Sequence, residues 1–164
     1  MSERIETAAL RDFSVSLCRA AGLSADDAAL LTDSILFAEC RGVTSHGLLR
    51  LPQYIARLRS GATASNVPMP FTMESGGTAR LDAQNGLGQL AGRKASDKAE
   101  ELAAKYGVSF VAVANSNHFG TGAWYAIPAA RRGFFAFNIS SAASAMAPVS
   151  SRARNFFFFM FFPP

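Results

Sequence analysis

Two short polar clusters carry the side chains that could do chemistry, and between them they hold both histidines of the chain. The first is Asn115-Ser116-Asn117-His118-Phe119-Gly120. It follows the apolar run Val108 to Ala114, which reads as a buried strand. Open α/β folds place ligands at the carboxyl ends of such strands. Histidine is the side chain whose ordinary pKa lies nearest neutrality, so His118 suits proton transfer. The second cluster is Ser45-His46-Gly47, with Arg50 and Tyr54 downstream. Arginine can hold a carboxylate through two parallel hydrogen bonds. A histidine one turn away can then reach the oxygen on the neighbouring carbon.

The elements that must position these clusters are legible in outline. Leu10, Phe13 and Leu17 recur at helical spacing within a first helix over 4–21, stopped at Gly22. Ser24 reads as the N-cap of a second, with Asp27 at the capping-box position and Leu30, Leu31, Ile35 and Ala38 on one side. A third helix is expected over about 47–60, with Pro52 giving a kink or a late start. On a wheel with His46 at zero, Arg57, Arg50 and Tyr54 fall at about 20°, 40° and 80°, beside an apolar face of Leu48, Leu51, Ile55 and Leu58. That face presents an imidazole, guanidiniums and a phenol in a row. The same spacing also suits an ordinary solvated helix face, and a loop histidine bonded to backbone suits position 118.

Residues 62–77 are rich in Gly, Pro, Ser and Thr and read as a connecting segment. A short strand at 79–81, a helix at about 87–105, the strand 108–114, a helix at 121–132 and a strand at 134–139 follow. This alternation is an α/β pattern. Gly120, Thr121 and Gly122 let a backbone approach a ligand, and the helix after them offers N–H groups to an anion. Gly86-Leu87-Gly88-Gln89-Leu90-Ala91 fits a dinucleotide fingerprint, but the next strand ends in Asn115 rather than in an acid that holds a ribose. Close helix–strand packing explains these glycines more simply.

Composition narrows the classes. The chain has 164 residues, 49% hydrophobic and 17% charged, which suits a globular domain with a real core. The formal charge of +4 suits an anionic small molecule. No nucleic-acid partner is expected, because the basic residues do not interleave with aromatics as a strand-binding groove requires. Cys18 and Cys40 lack metal-ligand spacing and read as reduced, buried thiols of a cytoplasmic protein; no metal site is expected. The N-terminus shows no apolar leader, and the run Phe156 to Phe162 is too short to span a bilayer, so no membrane partner is expected.

Arg41-Gly42-Val43-Thr44-Ser45-His46-Gly47 with Arg50 and Tyr54, followed by Asn117-His118-Phe119-Gly120, resembles the malate/L-lactate dehydrogenase family of NAD(P)-dependent oxidoreductases. The family includes ureidoglycolate and sulfolactate dehydrogenases and is unrelated in fold to the Rossmann dehydrogenases. The likeness covers roughly residues 5–150. It implies hydride transfer between NAD or NADP and a small 2-hydroxy or 2-oxo acid, bound through its carboxylate. His118 matches the family's general acid/base, and His46 a second active-site histidine that donates the proton in some members. Arg50 matches a carboxylate-binding arginine, and Ser45 and Tyr54 match substrate-binding positions. Gly120, Thr121, Ser140 and Ser141 fall at cofactor-binding positions, whereas Ala142 lacks the hydroxyl often found there. The resemblance also implies a homodimer.

It further implies a fold: a helical substrate-side segment over 1–61, the connection 62–77, and a partial α/β cofactor domain of the sulfolactate-dehydrogenase type over 78–150. Members are about twice this length, so the chain reads as the N-terminal half, truncated. Residues 151–164 read as an aberrant Phe-rich tail, exposed and prone to aggregate, with the pyrimidine-rich codons of a shifted reading frame; the alternative is a genuine apolar strand that pairs with a partner chain. Two functions follow: an NAD(P)-dependent oxidoreductase, or a catalytically inactive remnant or interaction module of that family.

Overall fold

The computed structural model describes residues 5–141 and 155–162, with the side chains of Ser141, of residues 155–158 and of Met160 left aside. The chain divides into two compact units, residues 1–66 and 67–164.

Unit 1 is helical. Helix α1 spans Thr7–Ala20 and α2 spans Ala25–Glu39. Ser24 caps α2 as its sequence requires, its side chain accepting from the Asp27 amide at 3.2 Å. Leu31, Ile35 and Ala38 of the expected stripe are buried. Arg11 clasps Asp33 through Nε–Oδ1 at 2.6 Å and Nη2–Oδ2 at 3.0 Å, tying α1 to α2. The stripe on α1 is rotated from expectation: Ser14 and Cys18 face the core, while Phe13 is 59% exposed. Ser14 can be buried because its hydroxyl donates to the Leu10 carbonyl at 2.8 Å.

The third helix starts late. Thr44–His46 and Leu48–Arg50 form two 3₁₀ turns, and helix α3 spans only Leu51–Arg59, with Pro52 in its first turn. Proline has no N–H to offer and sits easily there. This start corrects the helical wheel. His46 lies ahead of the helix, and Tyr54 turns inward with Leu51 and Leu58, only 5% exposed. A helical wheel fails when its origin lies in a segment with a different twist per residue.

Among the described residues, unit 2 is built on a five-stranded mixed sheet in the order β1-β2-β3-β5-β4. The strands are β1 (Phe71–Ser75), β2 (Thr78–Asp82), β3 (Ser109–Ser116), β4 (Phe135–Ser141) and β5 (Asn155–Phe162). Helix α4 (Gly88–Tyr106) links the parallel pair β2 and β3, and α5 (Ala123–Arg131) leads to β4. Strand β1 pairs antiparallel with β2, inside the span read as a connection. Strand β5 lies antiparallel between β3 and β4. Ala79, Val111 and Phe159 sit in register across three strands, and these join Leu81, Val113 and Phe161 to form a face packed by Ala91, Ala95, Ala99 and Leu102 of α4 and Tyr125 of α5.

The Phe-rich run therefore differs from the exposed tail expected. Phe159 and Phe161 are fully buried, while Phe162 is 37% exposed. A continuous apolar run carries no period from which a strand can be read. Residues 142–154, which include Ala142 and part of both the expected cofactor domain and the expected tail, lie outside the described residues.

Both cysteines are free, but only Cys18 is buried; Cys40 is exposed just beyond α2. Burial raises the Cys18 thiol pKa, partly offset by contact with the Thr32 hydroxyl. Cys40 should thus react promptly with an aromatic disulfide reagent, and Cys18 only on unfolding. Two prompt thiols in the native protein would contradict this packing.

Candidate active site

In unit 1 the chain turns sharply after α2, and Glu39 governs the turn. Its Oε2 accepts the Leu48 amide at 2.8 Å. Gly47 is needed because a Cβ there would fall 2.0 Å from that same oxygen and 3.2 Å from the Glu39 Cα. The Ser45 hydroxyl and His46 Nδ1 lie 3.0 Å apart. A hydroxyl donating to Nδ1 leaves the imidazole proton on Nε2. Arg50 donates through Nε to the Ser45 carbonyl at 2.7 Å and through Nη1 to Gln53 Oε1 at 3.0 Å. Its remaining N–H groups suit a carboxylate. Ser45, His46 and Arg50 are thus brought together, whereas Arg57 instead bonds to Thr63 and the Ala62 carbonyl.

Gly47→Ala is expected to break the Glu39–Leu48 bond and to lower stability by about 1–3 kcal/mol. Chemical denaturation checks this; a variant of unchanged midpoint would show that the turn does not depend on Glu39.

In unit 2, β3 delivers the second cluster. Asn117 Nδ2 donates to the Asn85 carbonyl at 2.9 Å, to Asn85 Oδ1 at 3.1 Å and to the Gly86 carbonyl at 2.9 Å. The first turn of α4 presses against this loop: a Cβ at Gly88 would lie 2.3 Å from the Asn117 carbonyl oxygen and 2.5 Å from that of His118. The glycines of the fingerprint-like segment therefore serve close packing, and the loop's own carbonyls crowd the amino end of α4. Phe119 stacks on Tyr125, and the Tyr125 hydroxyl donates to the Phe119 carbonyl at 2.5 Å. His118 is exposed between these two anchored neighbours, Asn117 and Phe119.

In the segment after His118, Gly120 is buried with a φ of +80°, and among the described residues a Cβ at Gly122 would meet the Asn138 side chain at an ordinary contact distance of 3.8 Å. Asn138 donates through Nδ2 to the Gly122 carbonyl at 3.0 Å, tying β4 to this loop. Asn138 Oδ1 is buried with no hydrogen-bond partner among the described residues. Thr121 is partly exposed and Ser140 is exposed on β4. Hydroxyls, backbone amides and a buried acceptor fit the neutral carboxamide and ribose groups of a nicotinamide coenzyme. Among the described residues no group of histidine, cysteine or acidic side chains could hold a metal.

A profile of the malate/L-lactate dehydrogenase family matches residues 5–156. The chain belongs to this family. It is 34% identical to a malate dehydrogenase of Pyrococcus abyssi over 92% of this chain and 42% of that protein. It is likewise 34% identical to the (2R)-3-sulfolactate dehydrogenase (NADP(+)) of Chromohalobacter salexigens, over 90% of this chain and 44% of that protein. Its fold matches the solved structure of malate dehydrogenase from Pyrococcus horikoshii OT3 with a TM-score of 0.84 at 30% identity, covering 91% of this chain and 43% of that one. The chain thus spans about two fifths of the length of these dehydrogenases. The α/β architecture expected for the malate/L-lactate dehydrogenase family is the one observed.

Sequence reasoning missed two residues that hold the clusters, Glu39 and Asn85, whereas the close packing at Gly88 is the role expected of it. Asn85-Gly86 carries a turn signal that marks the loop. Nothing in the spacing of Glu39 announces its partner.

Proposed function

We propose that this chain supplies the substrate-side residues, and part of the coenzyme side, of an NAD(P)-dependent oxidoreductase acting on a small 2-hydroxy or 2-oxo acid of the malate, lactate or ureidoglycolate kind. The observation that carries the reading is the place of His118, His46 and Arg50 within the span that matches the family, the last two on a braced turn. Malate and sulfolactate, named for the relatives, are both 2-hydroxy acids, which supports the substrate class.

When bound, the nicotinamide would carry the hydride. The chain's own residues then have two tasks, to fix the acid and to move one proton. Arg50 would hold the carboxylate, with Ser45 orienting His46 beside it and Tyr54 supporting that turn from within. His118 would give the substrate oxygen its proton during reduction and take it back during oxidation. His46 is the alternative donor of that same proton. Gly120, Thr121, Ser140 and Ser141 would hold the nicotinamide end of the coenzyme. By its resemblance the full-length protein would work as a homodimer, and two free thiols suit the cytoplasm.

The test is titration of the purified chain with NADH and NADPH, followed by fluorescence, then coenzyme oxidation with 2-oxo acids. Binding in the micromolar range with turnover supports the reading, and the preferred coenzyme settles NAD against NADP. A folded chain that neither binds nor turns over is instead an inactive module of the family.

A further inference from the structure

Resting on the reading of His118 as the proton carrier, we propose that Asp82 is a positioning residue for it. The Asp82 carboxylate latches the loop leaving β2 to Asn115 on β3, and so fixes the backbone from which His118 projects.

Asp82 ends β2, level with Ala114 in the neighbouring parallel strand. One of its oxygens, Oδ1, accepts both the Gln84 amide at 3.0 Å and Asn115 Nδ2 at 2.8 Å. The first bond is a local turn of the kind aspartate often makes. The second reaches a residue 33 positions away, three before His118. Backbone bonds run alongside it, from the Ala83 amide to the Ala114 carbonyl at 2.9 Å and from the Asn85 amide to the Asn115 carbonyl at 2.7 Å. Asn117 closes the network onto Asn85 and Gly86.

Three non-glycine residues, two in the loop after β2 and one near the end of β3, adopt the left-handed region: Gln84 at a φ of 49°, Asn85 at 61° and Asn115 at 55°. Such conformations persist only where their surroundings hold them. Glutamine has no local side-chain bond that favours this region. The shared carboxylate oxygen binds both Gln84 and Asn115 in place, and a charged acceptor makes the stronger bond. Removal of the Asp82 carboxylate therefore releases two strained residues together, Gln84 in the loop after β2 and Asn115 near the end of β3.

The chain has only two histidines, one in each unit, so the imidazole nitrogen spectrum reports His118 directly once His46→Gln assigns the other signal set. In Asp82→Ala, amide exchange at Asn85 should quicken about tenfold and the His118 imidazole signals should shift and broaden, while those of His46 stay in place. Asp82→Asn keeps an acceptor oxygen and should restore most of the protection. Asn115→Gly relieves the backbone strain but removes the donor, and should loosen His118 like Asp82→Ala. It carries the test if Asp82→Ala does not fold. Wild-type His118 signals in folded Asp82→Ala, or in Asn115→Gly, overturn the proposal. So does an Asp82→Asn variant no better than alanine. No readout here involves a coenzyme, so a failure to bind NADH or NADPH counts against the oxidoreductase reading and leaves the latch standing.

Discussion

Phe159→Ala should lower the stability of unit 2 by about 3–5 kcal/mol, as expected for removal of a buried aromatic ring from a close-packed core. The ring is fully buried in the middle of β5, which is itself an inner strand. It meets Tyr125 edge-on at 5.3 Å between centroids and Phe119 edge-on at 6.5 Å. Neither neighbour can collapse into the gap at no cost, because Tyr125 is held by its bond to the Phe119 carbonyl. For a unit of this size the thermal midpoint should fall by well over about 10 °C. The effect should also reach the neighbour of His118, since Phe119 loses one of its supports. Calorimetry on the wild type and the variant decides the matter. A change within about 0.5 kcal/mol, the usual result at an exposed site, would return the Phe-rich run to the solvent-exposed tail that its sequence suggests.

His118→Gln should lower turnover by about 10²–10⁴-fold while coenzyme binding is kept. Glutamine offers hydrogen-bonding groups near the positions of the ring nitrogens but cannot exchange a proton near neutral pH. The backbone contacts of the loop run through Asn117 and Phe119, so the replacement should leave them intact. His46→Gln provides the comparison. If position 118 carries the proton, its loss should be the larger, and the pH dependence of the residual rate should lose the limb due to an ionising group. Equal and small losses would remove both imidazoles from proton transfer. A dominant loss at position 46 would reverse their roles.

Much of the scaffold was legible because several local signals agreed. The Ser24 cap, the buried stripe of α4 and the run that became β3 each combine a boundary residue with a period. The two histidine clusters stood out because their polar residues interrupt apolar patterns. Other features needed the third dimension. Tyr54 was placed on an open face because the wheel began at His46, whereas regular helix begins at Leu51. Strand β1 was hidden because a five-residue edge strand inside a Gly- and Pro-rich stretch has too few positions to show alternation. Phe13 outshone Ser14 as a core candidate, yet the hydroxyl of Ser14 bonds back to its own helix and is buried at little cost. Asp82 was invisible because its second partner is set by the register of β2 against β3, which no sequence window contains.

The place of β5 also sets an order of events during synthesis. Unit 1 is made almost wholly of local contacts, between helices that emerge one after another, and it can consolidate while the rest of the chain is still being made. The sheet of unit 2 cannot. Strands β3 and β4 both precede in chain order the strand that lies between them, β4 by a short connection only, and each lacks a neighbour on one edge until Asn155–Phe162 pairs with it. During that interval the two edges can pair with each other in a register that later excludes β5. Slow refolding, sensitive to protein concentration, is the expected signature in unit 2 alone, because β5 must insert between two strands rather than append to one.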